Sequence, residues 1–213
     1  KVLKILEPLK NSDIPLIYTP GNHDCYVRRP KCVAAMHAAV AELSQGKYTF
    51  HDLPRCLEIG GAELLVINTS APSNLLCSWG FLRAKEREFI VKHCSGDHDN
   101  PRILITHYPM TEEYPVLRMR HRLFGQKQVL ELMKNGALDL VLCGHAHGGQ
   151  IRLPGIGGMI APNQGFFPKY DAGVFTEGDT TMVVSRGIGG SIIPLRIHNR
   201  PEIVVAELNR QEE

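Results

Sequence analysis

The six cysteines, Cys25, Cys32, Cys56, Cys77, Cys94 and Cys143, form no C-x-x-C pair and none of the spacings of a zinc ribbon. Scattered single cysteines in a chain of 213 residues read as reduced, mostly buried thiols of a cytosolic environment rather than as a disulfide framework. No apolar run approaches the roughly 20 residues that a membrane-spanning helix needs. Lys and Arg never gather into a long basic run, and a formal net charge of +2 is too small to imply a nucleic-acid partner. The one local exception is Arg118, Arg120 and Arg122 around His121, a patch that suits a solvated loop as well as it suits holding a substrate's anionic group. No internal repeat or low-complexity tract divides the chain. Its length argues for a single domain over residues 1–213. What is left, 43% hydrophobic and 22% charged, is the composition of an ordinary globular protein.

What the chain does have is three apolar segments that each end in polar, metal-competent groups. Leu138 to Leu142 reads as a buried strand and runs into Cys143-Gly144-His145-Ala146-His147-Gly148-Gly149-Gln150. Imidazoles at i and i+2 on a tight turn can both face one point beyond the carboxyl edge of a sheet, where open α/β sheets bind ligands. Such a loop is either a surface turn that carries two histidines or a metal site, since neutral imidazole is the commonest protein metal ligand. Ile14 to Thr19 is a second strand candidate and delivers Pro20-Gly21-Asn22-His23-Asp24. Arg102 to Thr106 is the third and ends on His107-Tyr108-Pro109.

Between these segments the periodicity predicts alternating elements. Lys31 to Leu43 is Ala-rich and free of Gly and Pro, a helix that ends near Gly46. Arg55–Ile59 and Glu63–Ile67 flank Gly60-Gly61 as a strand, turn and strand. Helices are expected over Ala84–His93 and over Gln126–Lys134, the latter stopped by Asn135-Gly136. This alternation argues for an α/β sheet. Beyond Gln150, Gly and Pro crowd Pro154 to Gly173 together with Phe166, Phe167 and Tyr170, which predicts an ordered loop packed near the histidine edge. Thr181–Ser185, Ile192–Ile197 and Glu202–Ala206 read as three closing strands.

Gly21-Asn22-His23-Asp24, His107 and Gly144-His145-Ala146-His147, in that order, make the chain resemble the calcineurin-like metallophosphoesterases. That superfamily is marked by the blocks D-x-H, G-D-x-x-D, G-N-H-D/E, H and G-H-x-H, and the chain matches the last three. Gly148 to Pro154, Ser185 to Gly189 and Asn199 to Ile203 are similar to its bacterial YaeI/YkuE-like branch. The resemblance implies a four-layer α-β-β-α sandwich and a centre of two divalent ions. Asn22, through its side-chain oxygen, His107 and His145 would hold one ion, and His147 would hold the other. The mixed N and O ligation suits Mn, Fe, Zn or Ni without choosing among them. His23 matches the family's general acid. Asp24 would accept its other ring N–H, or else serve as a simple turn or helix cap. Gly148 and Gly149 could present backbone N–H groups to an anion, although turn geometry accounts for them equally well. The implied substrate is a phosphate mono- or diester, with membrane-linked or cell-envelope phosphates as the suggested source.

No D-x-H and no G-D-x-x-D precede Asn22. Gly96-Asp97-His98-Asp99 imitates part of such a block but follows the G-N-H-D block, and reads as a polar loop. The expectation is therefore a C-terminal portion of a longer chain, whose upstream segment would carry the remaining ligands and decide between a cytoplasmic and a membrane-associated location. The competing expectation is a non-catalytic fragment or scaffold that cannot assemble both metals. His37, His51, His93, His98, His121 and His198 lack a metal-site context and read as surface or structural residues.

Overall fold

The structure, a computed structural model, describes residues 7–10, 12–25, 30–47, 52–72, 79–111, 123–161, 165–189 and 196–209. Four α-helices lie wholly within the described residues. These are α1 (Asn22–Cys25), α2 (Pro30–Leu43), α3 (Ala84–His93) and α4 (Lys127–Lys134). Pro30 opens α2 at the first helical position, where its missing N–H is no loss. After α4 the chain turns at Gly136 (φ 68°), and the Ala137 N–H reaches back to the Leu132 carbonyl at 2.9 Å, which closes the helix where Asn135-Gly136 predicted it.

The strands are β1 (Arg55–Ile59), β2 (Ala62–Val66), β3 (Gly80–Phe81), β4 (Arg102–Ile105), β5 (Leu123–Phe124), β6 (Leu140–Cys143), β7 (Arg152–Leu153), β8 (Gly157–Gly158), β9 (Ile160–Ala161), β10 (Gly165–Phe166), β11 (Gly173–Glu177) and β12 (Thr180–Val184). One six-stranded sheet runs in the order β1-β2-β4-β6-β12-β11. Its inner strands β2, β4, β6 and β12 are parallel, and the antiparallel hairpin partners β1 and β11 close the two edges. Helices α3 and α4 make the crossovers from β2 to β4 and from β4 to β6, as parallel neighbours require. This is the expected mixed α/β architecture, a central sheet flanked by helices. Among the described residues the other pairings are three two-stranded ribbons, β3/β5, β7/β8 and β9/β10, and two isolated bridges, Ser70 with Gly80 and Ile151 with Ile197.

Side-chain alternation divides the sheet into two unlike faces. Leu65, Leu104, Val141 and Met182 point into a closed core with Ile90, Val129, Leu130 and Met133 of the helices, all fully buried. Removing such a side chain from water is worth about 1.5–3 kcal/mol each. On the opposite face Leu64, Ile105, Leu142 and Val183 are only partly covered, around buried Ala62, Ile103 and Leu140.

Three expectations change. Ile14–Thr19 joins no ladder among the described residues. Its end is tied instead by the Thr19 hydroxyl, which donates to the Ile67 carbonyl at 2.6 Å, and by the Ser70 hydroxyl, which donates to the Pro20 carbonyl at 2.7 Å. Glu202–Ala206 forms no strand pairing among the described residues, and Ile203 and Val205 are 82% and 90% exposed, because alternation specifies a strand only where an edge is there to receive it. The stretch read as loop carries the short strands β8, β9 and β10, and β11 begins at its last residue. In the Pro154–Gly173 segment Tyr170 is buried, whereas Phe166 and Phe167 are 61% and 62% exposed, so its packing is less complete than its composition suggests. Ile192–Leu195, His51, Cys77 and the Arg118–Arg122 patch lie outside the described residues. Of the described cysteines, all free thiols, Cys94 and Cys143 are buried, Cys25 and Cys56 are partly buried, and Cys32 is exposed. No described helix is long and apolar enough to cross a membrane.

Candidate active site

The carboxyl ends of β4 and β6 are neighbours in register. Ile105 pairs with Leu142, and the ladder continues one step further as the Gly144 N–H donates to the His107 carbonyl at 3.1 Å. That step places His107 and His145 side by side beyond the sheet edge. The chain segment before α1 crosses the same edge so closely that a Cβ on Gly21 would stand 3.0 Å from the His107 ring. Only glycine allows this approach, and it carries buried Asn22 to the two imidazoles.

Three donor atoms converge there. Asn22 Oδ1 lies 2.8 Å from His107 Nε2 and 3.1 Å from His145 Nδ1, and the two ring nitrogens are 2.8 Å apart. No assignment of protons satisfies all three contacts, since an amide oxygen only accepts and a neutral ring nitrogen either donates or accepts. A cation shared by the three lone pairs satisfies them together. The spacing also fits, because ligands about 2.1 Å from one octahedral ion stand roughly 3 Å apart. The donor set therefore suits a divalent metal.

The surroundings keep the imidazoles in their ligating form. Burial, then the neighbouring His147 and His23, pull the His107 pKa from 6.5 down to about 3. The ring of Tyr108, fully buried, packs tilted against His145 at 4.2 Å between centroids and edge-on to His107 at 5.0 Å. Sequence reasoning did not single out Tyr108. Its place beside His107 in His-Tyr-Pro was the available signal.

His147 takes a different position. After His145 (φ 70°) the backbone is right-handed at Ala146 (φ -71°) and returns to positive φ at His147 (φ 49°), Gly148 (φ 68°), Gly149 (φ 70°) and Gln150 (φ 39°), and His147–Gly149 form a 3-10 turn. Non-glycine residues held in this region are costly, and such strain gathers at functional sites. The His147 ring lies edge-on to that of His23, 6.3 Å away. Burial, then Arg196 and His23, lower its pKa from 6.5 to about 4. Buried Asn199 fixes the turn, with its amide donating to the His147 carbonyl at 2.6 Å. Gly148 has no room for a side chain, because a Cβ would fall 2.4 Å from Asn199 Oδ1 and 2.8 Å from Arg186 Cγ.

His23 is exposed on α1, one residue from Asn22. Asp24 Oδ2 accepts from the Tyr18 hydroxyl at 2.6 Å and from the Gly21 N–H at 2.8 Å, so this oxygen closes the turn that presents Asn22. His98 pairs with Asp139 at 2.9 Å, and His93 packs on Phe89 and joins Cys56 and Glu63, the three offering possible ligand atoms within 4.8 Å of one another.

The chain is 41% identical over 78 residues, 37% of its length and 28% of the relative's, to "Phosphodiesterase YaeI" of Escherichia coli (strain K12). It is 44% identical over 71 residues, 33% of its length and 24% of the relative's, to "Uncharacterized metallophosphoesterase YkuE" of Bacillus subtilis (strain 168). These matches thus span little more than a quarter of the relatives at most. The calcineurin-like phosphoesterase model matches residues 1–149, which include every residue of the donor cluster, and the chain belongs to that family.

Proposed function

We propose that the protein hydrolyses a phosphate mono- or diester with the help of divalent metal ions. The observation that carries this reading is the convergence of Asn22 Oδ1, His107 Nε2 and His145 Nδ1 within 3.1 Å of one another. Asn22, His107 and His145 hold one ion, and His147 contributes to a second. Ions bound there supply Lewis-acid neutralisation of phosphoryl charge. The protein's own groups do the rest. His23 stands beside the donors with its ring open to solvent, where it hands a proton to the leaving oxygen and regains one from water. Asp24 holds the α1 turn and with it the position of His23. Tyr108 keeps water from the inner side of His145. The substrate is a phosphate ester of membrane or envelope origin.

A second reading rests on the same geometry. Among the described residues the site brings three donors to one point, while His147 stands apart beside His23. On that reading residues 1–213 hold a single ion firmly and act as a scaffold without turnover. Elemental analysis beside an assay on bis(4-nitrophenyl) phosphate with added Mn²⁺ separates the two. Catalysis predicts metal-dependent hydrolysis that EDTA and His145→Ala both abolish. One ion per chain with no hydrolysis selects the scaffold, and hydrolysis indifferent to both treatments overturns the metal site itself.

A further inference from the structure

A second group of donors lies at the opposite end of the sheet from the candidate active site. The parallel register sets Glu63 of β2 beside Arg102 at the start of β4, whereas His107 follows that strand's other end. On the neighbouring edge strand Cys56 pairs with Leu65, so alternation puts Cys56 and Glu63 on one face, the face that packs against α3. Helix α3 ends on His93. Cys56, Glu63 and His93 thereby bring a sulfur, a carboxylate oxygen and an imidazole nitrogen within 4.8 Å of one another. They come from three separate elements, so no local spacing announces them in the sequence.

The surroundings favour a cation. A thiolate and a carboxylate bring two negative charges to a neutral imidazole, and they do so beside the carboxyl-terminal end of α3, where the helix dipole adds partial negative charge. Arg102 offsets one of the two and orients the carboxylate. Buried itself, it donates to Glu63 Oε2 at 3.1 Å and to the Gly96 carbonyl at 3.2 Å, and Glu63 Oε1 accepts no hydrogen bond among the described residues. The His93 ring is steadied by Phe89, 4.6 Å away between centroids. Cys56 packs at the margin of the closed core. All three donor residues are only partly buried, which leaves an ion a way in from solvent.

We propose that Cys56, Glu63 and His93 bind a zinc ion. Thiolate together with imidazole is a donor set that suits zinc, and a carboxylate is within its usual range. Ligands roughly 2.0–2.3 Å from a tetrahedral ion stand about 3.5 Å apart, so side-chain rotations that shorten the spacings by about 1 Å seat it. Water takes the fourth position. The ion ties the β1–β2 edge hairpin to the end of α3, and binding that only the folded chain offers stabilises the fold. The site shares no residue with the Asn22, His107 and His145 cluster and is independent of the phosphoester reading. Mn²⁺ prefers oxygen donors and matches the thiolate poorly, so manganese bound at that cluster and zinc bound here are separate measurements.

Co²⁺ is the probe, because thiolate ligation gives it an intense near-ultraviolet charge-transfer band that nitrogen and oxygen donors do not. Titrated into the chain after EDTA treatment and dialysis, Co²⁺ produces this band in the wild type, and Zn²⁺, the tighter binder, removes it. Cys56→Ser loses the band. His93→Gln and Glu63→Gln weaken Co²⁺ binding by more than the roughly 10–100-fold that supporting residues cost. His145→Ala, which disables the other cluster, keeps the band. A wild-type chain without the band at millimolar Co²⁺, a band that survives in Cys56→Ser, or a titration unchanged in His93→Gln overturns the site. A measurement on the wild type alone covers variants that fail to fold. Zn²⁺ protects Cys56 from iodoacetamide, read by peptide mass spectrometry, and leaves the exposed Cys32 reacting as before. Equal labelling of Cys56 with and without Zn²⁺ overturns the proposal as well.

Discussion

His145 and His147 leave the same strand two residues apart, yet they serve different places. His145 is buried against Tyr108 and brings Nδ1 to within 3.1 Å of Asn22 Oδ1. His147 is only partly buried, sits in the left-handed 3-10 turn and faces His23 across 6.3 Å. The reason is backbone conformation. With φ at 70° on His145, the next residues are rotated out of the extended alternation that would have aimed both rings alike. Spacing alone therefore fixes which residues share an edge, while the dihedral angles between them decide which share an ion.

The largest test of that difference is metal content. His145→Ala, His107→Ala and Asn22→Ala each remove one of three converging donors and should lose the ion altogether under dialysis. His147→Ala should keep it and lower affinity by no more than the roughly 10–100-fold typical of supporting residues. Equal loss from both histidine variants, measured by elemental analysis, would erase the distinction. Next comes His23, which touches the second histidine and supplies no ligand to the first cluster. His23→Ala should retain metal and lose turnover by about 10²–10⁴-fold, least with activated esters that need no proton on departure. A uniform loss across good and poor leaving groups would remove His23 from the general-acid role.

Smaller effects separate the supports of the two histidines. Tyr108→Ala empties a fully buried site beneath His145 and should cost about 3–5 kcal/mol in urea unfolding, with metal affinity falling alongside. Asn199→Ala leaves the His147 carbonyl without its donor and should cost about 1–3 kcal/mol, with metal retained. If Asn199→Ala released the ion as readily as Tyr108→Ala, the two halves of the loop would be one unit after all.

Much of this was legible in the residues. The β2-α3-β4-α4-β6 alternation follows from local apolar periods and turn signals, and the structure keeps it nearly to the residue. His107 and His145 were readable because each closely follows a strand of the parallel sheet, which delivers both to one edge, whereas Asn22 reaches them through the close approach of Gly21 to the His107 ring. Ile14–Thr19 and Glu202–Ala206 misled because a strand is a partnership, and the partner is not written locally. Strand β11 was readable from Glu177-Gly178-Asp179, a turn signal between β-branched and aromatic residues that the surrounding Gly and Pro obscured. Arg186 could not be read locally as a neighbour of the His147 turn, since it is brought there by the parallel pairing of β12 with β6.

The smallest expected effect is on acid stability, and it sharpens the comparison by adding His107. In the metal-free chain the His107 pKa is depressed to about 3 and that of His147 to about 4, while an unfolded chain titrates near 6.5 at both. Between 6.5 and these values the unfolded state binds protons that the folded state refuses, so the folded state loses ground as pH falls. The contribution is whole above pH 6.5 and is lost progressively on the way down to pH 4 and then 3. His107 is the more deeply buried of the two, so its share is the larger and extends further into acid. Urea unfolding midpoints in EDTA at pH 7, about 5.5 and about 4.5 should therefore fall more steeply for wild type than for His107→Gln, with His147→Gln between them. Carboxylates titrating in the same range affect all three proteins alike and cancel in the difference. Parallel curves for wild type and His107→Gln would mean that His107 is not held neutral by its burial. The donor cluster would then have no stronger claim on a cation than the turn that follows it.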